Sequence, residues 1–282
     1  MDGFEYVLNE TERVHSQLVT FLGSRRFNSY LLLGMIPNAT RRIIIEIGRN
    51  QIPQDEAILE LTSRMFNHAL SAHLLIFRGL VVDSVVMLRA MVETNAQVVA
   101  FLRDSVAAEA WLKGKRFKPE IIRKILDGKP DLGPIYARLS AMAHANPEGR
   151  AGHVVQVPPM GTAILYGGSY QPKHMAELLS IVVDQTLLYL MAFHQHYKGR
   201  LSVENWPLMI KMGLDANADF IKWIQDLPDD LDDLREHMRN SPPLEPMRRP
   251  EAYLNMAKDV AREFEEEQHS RNLSELNWKQ VG

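Results

Sequence analysis

Residues 83–104 read DSVVMLRAMVETNAQVVAFLRD, and this stretch decides the fold. Its apolar residues recur at helical spacing and cover most of the helix surface, which is typical of a helix surrounded by others. The charged residues Arg89 and Glu93 lie in its middle. Because an apolar helix must be covered on all sides, the stretch predicts a helical bundle with residues 83–104 at its centre.

Helical patterns also occupy most of the chain on both sides of this stretch. Asn38 has the residue type of an N-cap and Gly48 that of a helix stop, so the two predict a helix between them. Gly79 predicts a turn between the helix before it and the central helix. The sequence thus predicts an all-α fold, with helices over 4–22, 38–50, 53–77, 83–104, one or two within 106–127, one starting near 131–134, then 173–198, 203–225, 229–240 and 250–268.

The predicted organisation is a core with helical extensions at both ends. Residues 53–200 form the helical bundle core, and residues 1–52 form the N-terminal helical extension. Residues 201–282 form the C-terminal helical extension, which contains a proline-rich linker at 241–250. Residues 146–172 are rich in glycine and proline and include the β-prone runs HVVQV and AILYG. This segment predicts one long loop or a small hairpin.

Composition excludes several classes of protein. The chain has 282 residues, 46% of them hydrophobic, which is ample for a buried core. A net charge of −3 gives no general attraction to nucleic acid or membrane, so a polyanion site must be local. The absence of cysteine excludes disulfides and thiolate zinc sites and fits a reducing cytoplasm. Because residues 1–10 lack the pattern of a signal peptide, and because we find no stretch of 18 apolar residues, we expect a cytoplasmic protein without a membrane span.

Residues 136–146, YARLSAMAHAN, contain the polar residues with the clearest chemical potential. A histidine such as His144 transfers protons near neutral pH, and an arginine such as Arg138 binds phosphate with its planar fork. Ser140 and His144 are four residues apart, so they share one face of a helix. Together these residues have the chemistry needed to cleave RNA without a metal, with the arginine stabilising negative charge on the phosphate. The alternative is that they are ordinary polar residues near a helix end.

Arg89 and Glu93 allow two interpretations at this stage. They are four residues apart and face the same way on the central helix. In the first interpretation they form a structural ion pair between core helices, because a buried charge needs a partner. In the second, Glu93 orients a catalytic histidine or arginine on a neighbouring helix.

The most basic part of the chain, residues 111–129, precedes the YARLSAMAHAN stretch. It interleaves cations with Trp111 and Phe117, a combination that suits a phosphate backbone and stacked bases. The alternative is an ordinary solvated helix face. The candidate RNA-binding residues here are Lys113, Lys115, Arg116, Lys118, Arg123 and Lys124.

Cofactor and metal motifs are not found in the sequence. His194 and His196 are two residues apart and His68 and His73 are five apart, which are poor spacings for one metal on a helix. The sequence GGS at 167–169 is too short for a phosphate cradle. We expect no cofactor and no metal site.

The residues discussed above resemble the HEPN-like helical proteins. The resemblance lies in the LRAMVE segment with Arg89 and Glu93, an R-x-x-x-E pattern, followed by a Y-x-x-L-S-x-x-x-H pattern from Tyr136 to His144. It covers about residues 55–200. It implies a four- to five-helix bundle that dimerises, with a signature of an arginine, four to six residues and a histidine, which Arg138 and His144 match with five between. Many such proteins are metal-independent endoribonucleases of toxin–antitoxin or phage-defence systems, and others only bind partners.

Two functions follow as alternatives. In the first, the protein is a metal-independent endoribonuclease with His144 as acid or base, Arg138 as phosphate stabiliser, and Arg89 and Glu93 orienting the site. The residues that position the substrate are then Ser140, Asn146 and Tyr136. In the second, it is a non-catalytic interaction or regulatory protein, in which the same side chains form a buried Arg/Glu/Ser/His network. The expected partners are RNA, a second copy of the chain, and a protein bound through the terminal helices.

Overall fold

The structure is a computed structural model that describes residues 3–127, 133–143, 154–157, 161–164 and 171–228. Within these ranges the fold is all-α, as predicted, with one short hairpin. Most predicted helices are confirmed to within a few residues. The helices are α1 (Gly3–Leu22), α2 (Arg26–Arg42), α3 (Pro53–Phe77), α4 (Val81–Arg103), α5 (Ser105–Leu112), α6 (Pro119–Ile125), α7 (Gly133–Ala143), α8 (Pro172–Tyr197) and α9 (Trp206–Gln225).

Helix α2 is the element for which the prediction was wrong. It begins at Arg26, so Asn38 lies inside the helix rather than at its N-cap. The helix continues through Pro37 and passes into a π-helical segment, Ile43–Ile47. Gly48 then ends this segment with a φ of 54°, a conformation that favours glycine and accounts for the stop.

Helix α4 lies at the centre of the described structure. It packs against α3, α8, α7, α6 and α5, so apolar residues on nearly all its faces are covered. Val85, Leu88, Met91 and Phe101 are among its buried side chains. Each fully buried side chain of this kind contributes about 1.5–3 kcal/mol relative to exposure.

A polar contact fixes how the two long apolar helices meet. The side-chain nitrogen of Asn95 on α4 donates to the backbone carbonyl of Gln185 on α8 at 2.8 Å and to its side-chain oxygen at 3.0 Å. Both residues are buried. Because an unpaired buried amide would be unfavourable, this contact favours one alignment of α4 on α8.

The turn between α3 and α4 forms where Gly79 predicts it. Gly79 has a φ of 72°, and the Leu80 amide donates to the Leu75 carbonyl at 2.9 Å, closing the end of α3. The two helices therefore run antiparallel from this turn. A residue on α3 therefore lies near the residue on α4 that is the same number of positions from the turn.

The glycine- and proline-rich segment contains the small hairpin that was one of its two predicted forms. Strands β1 (Val154–Val157) and β2 (Gly161–Ile164) pair antiparallel, with Val154 opposite Ile164. Other predicted features lie outside the described residues. These are His144, Asn146, the helices at 229–240 and 250–268, and the linker at 241–250.

Helices α4 and α8 are long and apolar enough to cross a membrane by length and composition alone. Most of the residues in their apolar windows are buried inside the bundle. The same apolar surfaces therefore form the core of the described structure, as core helices of non-membrane proteins also do.

Candidate functional site

Arg89, Glu93 and Tyr136 form a polar cluster that joins α4 to α7. The Arg89 Nε atom lies 3.3 Å from Glu93 Oε1, and Arg89 NH2 donates to the Tyr136 hydroxyl at 2.8 Å. The guanidinium carbon also lies 5.0 Å from the centre of the Tyr136 ring. Arg89 thus holds the carboxylate on its own helix and the tyrosine on α7 at the same time.

This cluster is half-exposed rather than sealed in the core. The side chains of Arg89 and Glu93 are 29% and 43% exposed. Both side chains of this pair are therefore partly exposed to solvent. Burial lowers the pKa of Arg89, but the hydrogen bond and charge of Tyr136, with Glu93, give a net rise. The guanidinium stays charged at the surface.

His68 lies beside this cluster, although its spacing from His73 suggests no role beyond a poorly placed metal ligand. Its Nδ1 is 3.4 Å from the Thr94 hydroxyl, which itself donates to the Ala90 carbonyl. Burial lowers the pKa of His68. The sequence could have predicted that His68 lies near Glu93, because the two residues are almost equally far from the turn at Leu80. This prediction requires that α3 and α4 form an antiparallel hairpin.

Arg138 belongs to a second polar cluster, with Glu177 and His174 on α8. Arg138 NH2 donates to Glu177 Oε2 at 3.0 Å, and His174 Nδ1 lies 3.4 Å from the same oxygen. The hydrogen bond with His174 lowers the pKa of Glu177, burial opposes it, and the charge of Arg138 lowers it further. The carboxylate is therefore ionised at neutral pH and sits between two nitrogen donors.

Helix α7 thus divides the predicted site into two clusters. Tyr136 and Arg138 are two residues apart, about 200° around a helix, so they reach different neighbours. Leu139 is fully buried between them, and Ser140 is half-buried one turn after Tyr136. Arg89 therefore contacts Tyr136, and the Arg138 guanidinium is held by Glu177 instead.

The predicted basic segment forms an exposed surface at the end of α5 and along α6. Lys113 donates to Glu109 at 2.6 Å, and the Lys115 ammonium lies 5.2 Å from the Phe117 ring centre. Phe117 and Trp111 also contact the buried ring of Phe101, so both rings are partly used for packing. The exposed cations are Lys113, Lys115, Arg116, Lys118, Arg123 and Lys124.

A fully paired carboxylate, Asp55, lies near the other end of α8 and was not singled out by sequence. It accepts hydrogen bonds from the Tyr197 hydroxyl at 2.8 Å and from Arg200 NH2 at 2.9 Å. The backbone amide of Ile52 donates to it at 3.1 Å. Its position near the start of α3 predicts a helix cap, but nothing local predicts its partners after α8. We assign it a structural role.

Among the described residues, no group of three or more histidine, aspartate or glutamate side chains is arranged to hold a metal ion. The chemistry of the described clusters therefore rests on guanidinium, carboxylate, imidazole and phenol groups. Residues His144 and Asn146 lie outside the described ranges.

Fold and clusters together define an all-α protein with two polar clusters where α7 meets α4 and α8. No family model, no curated protein and no solved structure matches the chain.

The half-exposed position of Glu93 leads to a stability prediction. Replacing Glu93 with alanine should lower the free energy of unfolding by less than about 1 kcal/mol, because partly exposed ion pairs contribute little. Urea denaturation measures this change, with Glu60→Ala as the control, since Glu60 pairs with Arg64 at 3.1 Å on exposed α3 surface. A loss several-fold greater than that of the control would mean that the Glu93 carboxylate is buried in solution.

Proposed function

We propose that the chain is a HEPN-like protein that binds single-stranded RNA and cleaves it without a metal. Arg138 holds the scissile phosphate, and His144 acts as acid or base. The protein is then a cytoplasmic homodimer of the kind found in toxin–antitoxin and phage-defence systems, and its terminal helices bind a protein partner.

The observation that carries the proposal is the exposure of Arg138. Its side chain is 59% exposed on α7, six residues before His144. A guanidinium has five N–H donors in a planar fork, and the ion pair with Glu177 uses one end of it. The rest of the fork suits the non-bridging oxygens of a phosphodiester.

The exposed basic segment supports a path for the RNA strand. Helices α6 and α7 both pack against α4. Arg103, at the end of α4, donates to the Leu126 carbonyl just after α6. Arg89 contacts α7, and 14 residues of helix separate the two arginines, or about 21 Å. A strand of a few nucleotides spans a distance of that order, and we propose that one RNA molecule contacts both the basic segment and Arg138.

The chemistry needs only groups that the chain contains. The 2′-hydroxyl attacks the adjacent phosphorus, the bond to the 5′-oxygen breaks, and the products are a 2′,3′-cyclic phosphate and a 5′-hydroxyl. One proton leaves the 2′-oxygen and one reaches the 5′-oxygen, with His144 transferring a proton between nucleotide and solvent. Arg138 stabilises the negative charge that develops on the phosphate oxygens.

The test is cleavage of a labelled single-stranded RNA by the purified full-length chain in EDTA. We expect cleavage by the unaltered protein and a loss of about 100-fold or more in Arg138→Ala and His144→Ala. Arg13→Ala is the matched control, because Arg13 is a similarly exposed arginine paired with Glu10 at 2.7 Å on α1. Absence of cleavage, or equal rates in all the variants, would overturn the proposal.

The Arg138–Glu177 ion pair favours a second candidate, the non-catalytic interaction or regulatory protein. A carboxylate at 3.0 Å neutralises the cation that the phosphate needs. In this candidate the two clusters hold α7 on α4 and α8, and the surface they shape binds a partner. It predicts that RNA stays intact and that Arg138→Ala weakens binding of the partner without changing any cleavage rate.

A further inference from the structure

His174 lies in the Arg138 cluster but outside the arginine–histidine motif that drew attention to α7. Its Nδ1 and the Arg138 guanidinium share one carboxylate oxygen, Oε2 of Glu177. The three side chains come from two helices and are all in contact with solvent, at 59% exposure for Arg138, 33% for Glu177 and 24% for His174. A cation, a carboxylate and an imidazole are thus linked at the surface.

Two neighbouring polar side chains on α8, Lys173 and Ser180, donate to backbone carbonyls. Lys173 is directed elsewhere, since its ammonium donates to the Leu227 carbonyl at 2.8 Å. Ser180 donates to the backbone carbonyl of Glu177, not to its carboxylate. The charged side chains that contact His174 and Glu177 in the described part of the chain are therefore each other and Arg138.

We propose that His174 is the general base for cleavage of a phosphodiester held by Arg138, and that Glu177 is its positioning residue. This inference rests on the proposed RNA cleavage and assigns a second proton-transfer residue to it. The substrate class is a single-stranded RNA, because the reaction needs a 2′-hydroxyl next to the phosphate.

Glu177 explains why the imidazole suits this role. With Nδ1–H donating to the carboxylate, the neutral ring carries its lone pair on Nε2, which points away from Glu177 around the ring. Glu177 thereby selects the tautomer whose Nε2 accepts a proton. The Arg138 guanidinium donates to the same carboxylate oxygen. Glu177 therefore holds the phosphate-binding arginine and the proposed base, His174, next to each other.

The proposed step balances without a co-reactant. Nε2 of His174 takes the proton of the 2′-hydroxyl, the 2′-oxygen bonds to phosphorus, and the bond from phosphorus to the 5′-oxygen breaks. The 5′-oxygen takes its proton from water. His174 ends protonated and gives its proton back to the hydroxide that remains, so no proton is gained or lost overall.

Rates of RNA cleavage across pH test the inference. A general base loses activity as it becomes protonated, so the unaltered protein should show an acidic limb in its pH–rate profile. We expect His174→Asn to cleave about 100-fold more slowly at pH 7 and to lack that limb. His174→Gln is a second variant in case the first one fails to fold.

Two further variants separate catalysis from packing. Glu177→Gln keeps the imidazole, so it should lower kcat about tenfold with little change in KM and retain the acidic limb. His194→Asn is the matched control, because His194 lies on the same helix 20 residues away, about 30 Å along its axis, and its rate should not change.

Each outcome decides the inference. If the unaltered protein cleaves RNA and His174→Asn keeps its rate or its acidic limb, the inference is wrong and the proposed function stands. If His174→Asn loses both, the inference is supported. If the unaltered protein does not cleave RNA, the proposed function fails and this inference fails with it.

Discussion

Replacing Asp55 with alanine is expected to lower the free energy of unfolding by about 3 kcal/mol, at the low end of values for removing one partner of a buried ion pair. The Asp55 side chain is fully buried and Arg200 is 37% exposed. Without the carboxylate, Arg200 can turn toward water, which moderates the loss. The buried Tyr197 hydroxyl cannot do so and loses its acceptor.

Chemical denaturation of Asp55→Ala measures this loss, and two variants provide controls. Asp55→Asn keeps an acceptor of the same shape and should lose less. Glu56→Ala removes the neighbouring carboxylate, which is exposed, and should change stability by less than about 0.5 kcal/mol. An equal effect of Asp55→Ala and Glu56→Ala would mean that the cluster with Tyr197 and Arg200 does not form in solution.

The same carboxylate sets a pH dependence on the acid side. Burial raises the pKa of Asp55, but hydrogen bonds from Arg200, Ile52 and Tyr197 outweigh it and the net shift is downward. A carboxyl with a lowered folded-state pKa stabilises the fold above its unfolded value of about 3.9, and this contribution is lost as the pH falls through the folded value. Stability should therefore drop below about pH 4 in the unaltered protein and drop less in Asp55→Asn.

His73 is expected to produce a second acid-sensitive loss, of about 3 kcal/mol, at higher pH. The ring is buried, with Nε2 3.2 Å from the Ser29 hydroxyl, and it lies against the rings of Tyr30 and Phe77 at 4.8 and 4.6 Å. Burial lowers the pKa of His73 to about 4. The hydroxyl pairs with the neutral ring, but no carboxylate contacts the charged one among the described residues.

The direction of the pH effect on stability follows from the protonation of His73 in the unfolded and folded states. The unfolded chain binds a proton at His73 near pH 6.5, whereas the folded chain resists it until about pH 4. Stability from the neutral ring is therefore complete above about pH 6.5 and is lost as the pH falls toward 4, at 1.36 kcal/mol per pKa unit.

Denaturant titrations at intervals from pH 7 to 4 test this prediction. His73→Gln keeps a polar group near Ser29 but does not titrate, so its stability should vary much less over this range. His15→Gln, which removes a partly exposed histidine on α1 next to Phe77, should retain the full dependence. A pH dependence that persists in His73→Gln would assign the loss to another group. The pH range over which His73 lowers stability lies above the range for Asp55, so the two losses of stability can be measured separately.

Helix positions could be predicted well where apolar spacing and terminal residues agree. Pro53 starts α3, and Gly79 separates α3 from α4, and both boundaries follow from backbone chemistry that acts locally. Asn38 shows where such reasoning fails. Its residue type favours an N-cap, but packing of α2 against α3 and α8 keeps the helix continuous through that position.

The candidate site could be predicted only in part. The pairing of Arg89 with Glu93 follows from their spacing on one helix, and the structure confirms the contact. The partner of Arg138 did not follow from its spacing, because it depends on how α7 packs against α4 and which part of α8 it then reaches. His174 and Glu177 could not be connected to Arg138 by sequence, since 36 and 39 positions separate them from it.

The sequence alone determined the class of fold and the types of chemical group available. Apolar residues at helical spacing, with glycine and proline between the runs, require helices whose apolar faces are buried together. Tertiary packing decided which groups meet and how exposed they are. It left Arg89 and Glu93 half-exposed, buried Asp55, and turned Arg138 toward Glu177 and His174. The physical reason is that helix formation depends on neighbours a few residues apart, whereas burial and pairing of charges depend on which helices pack together.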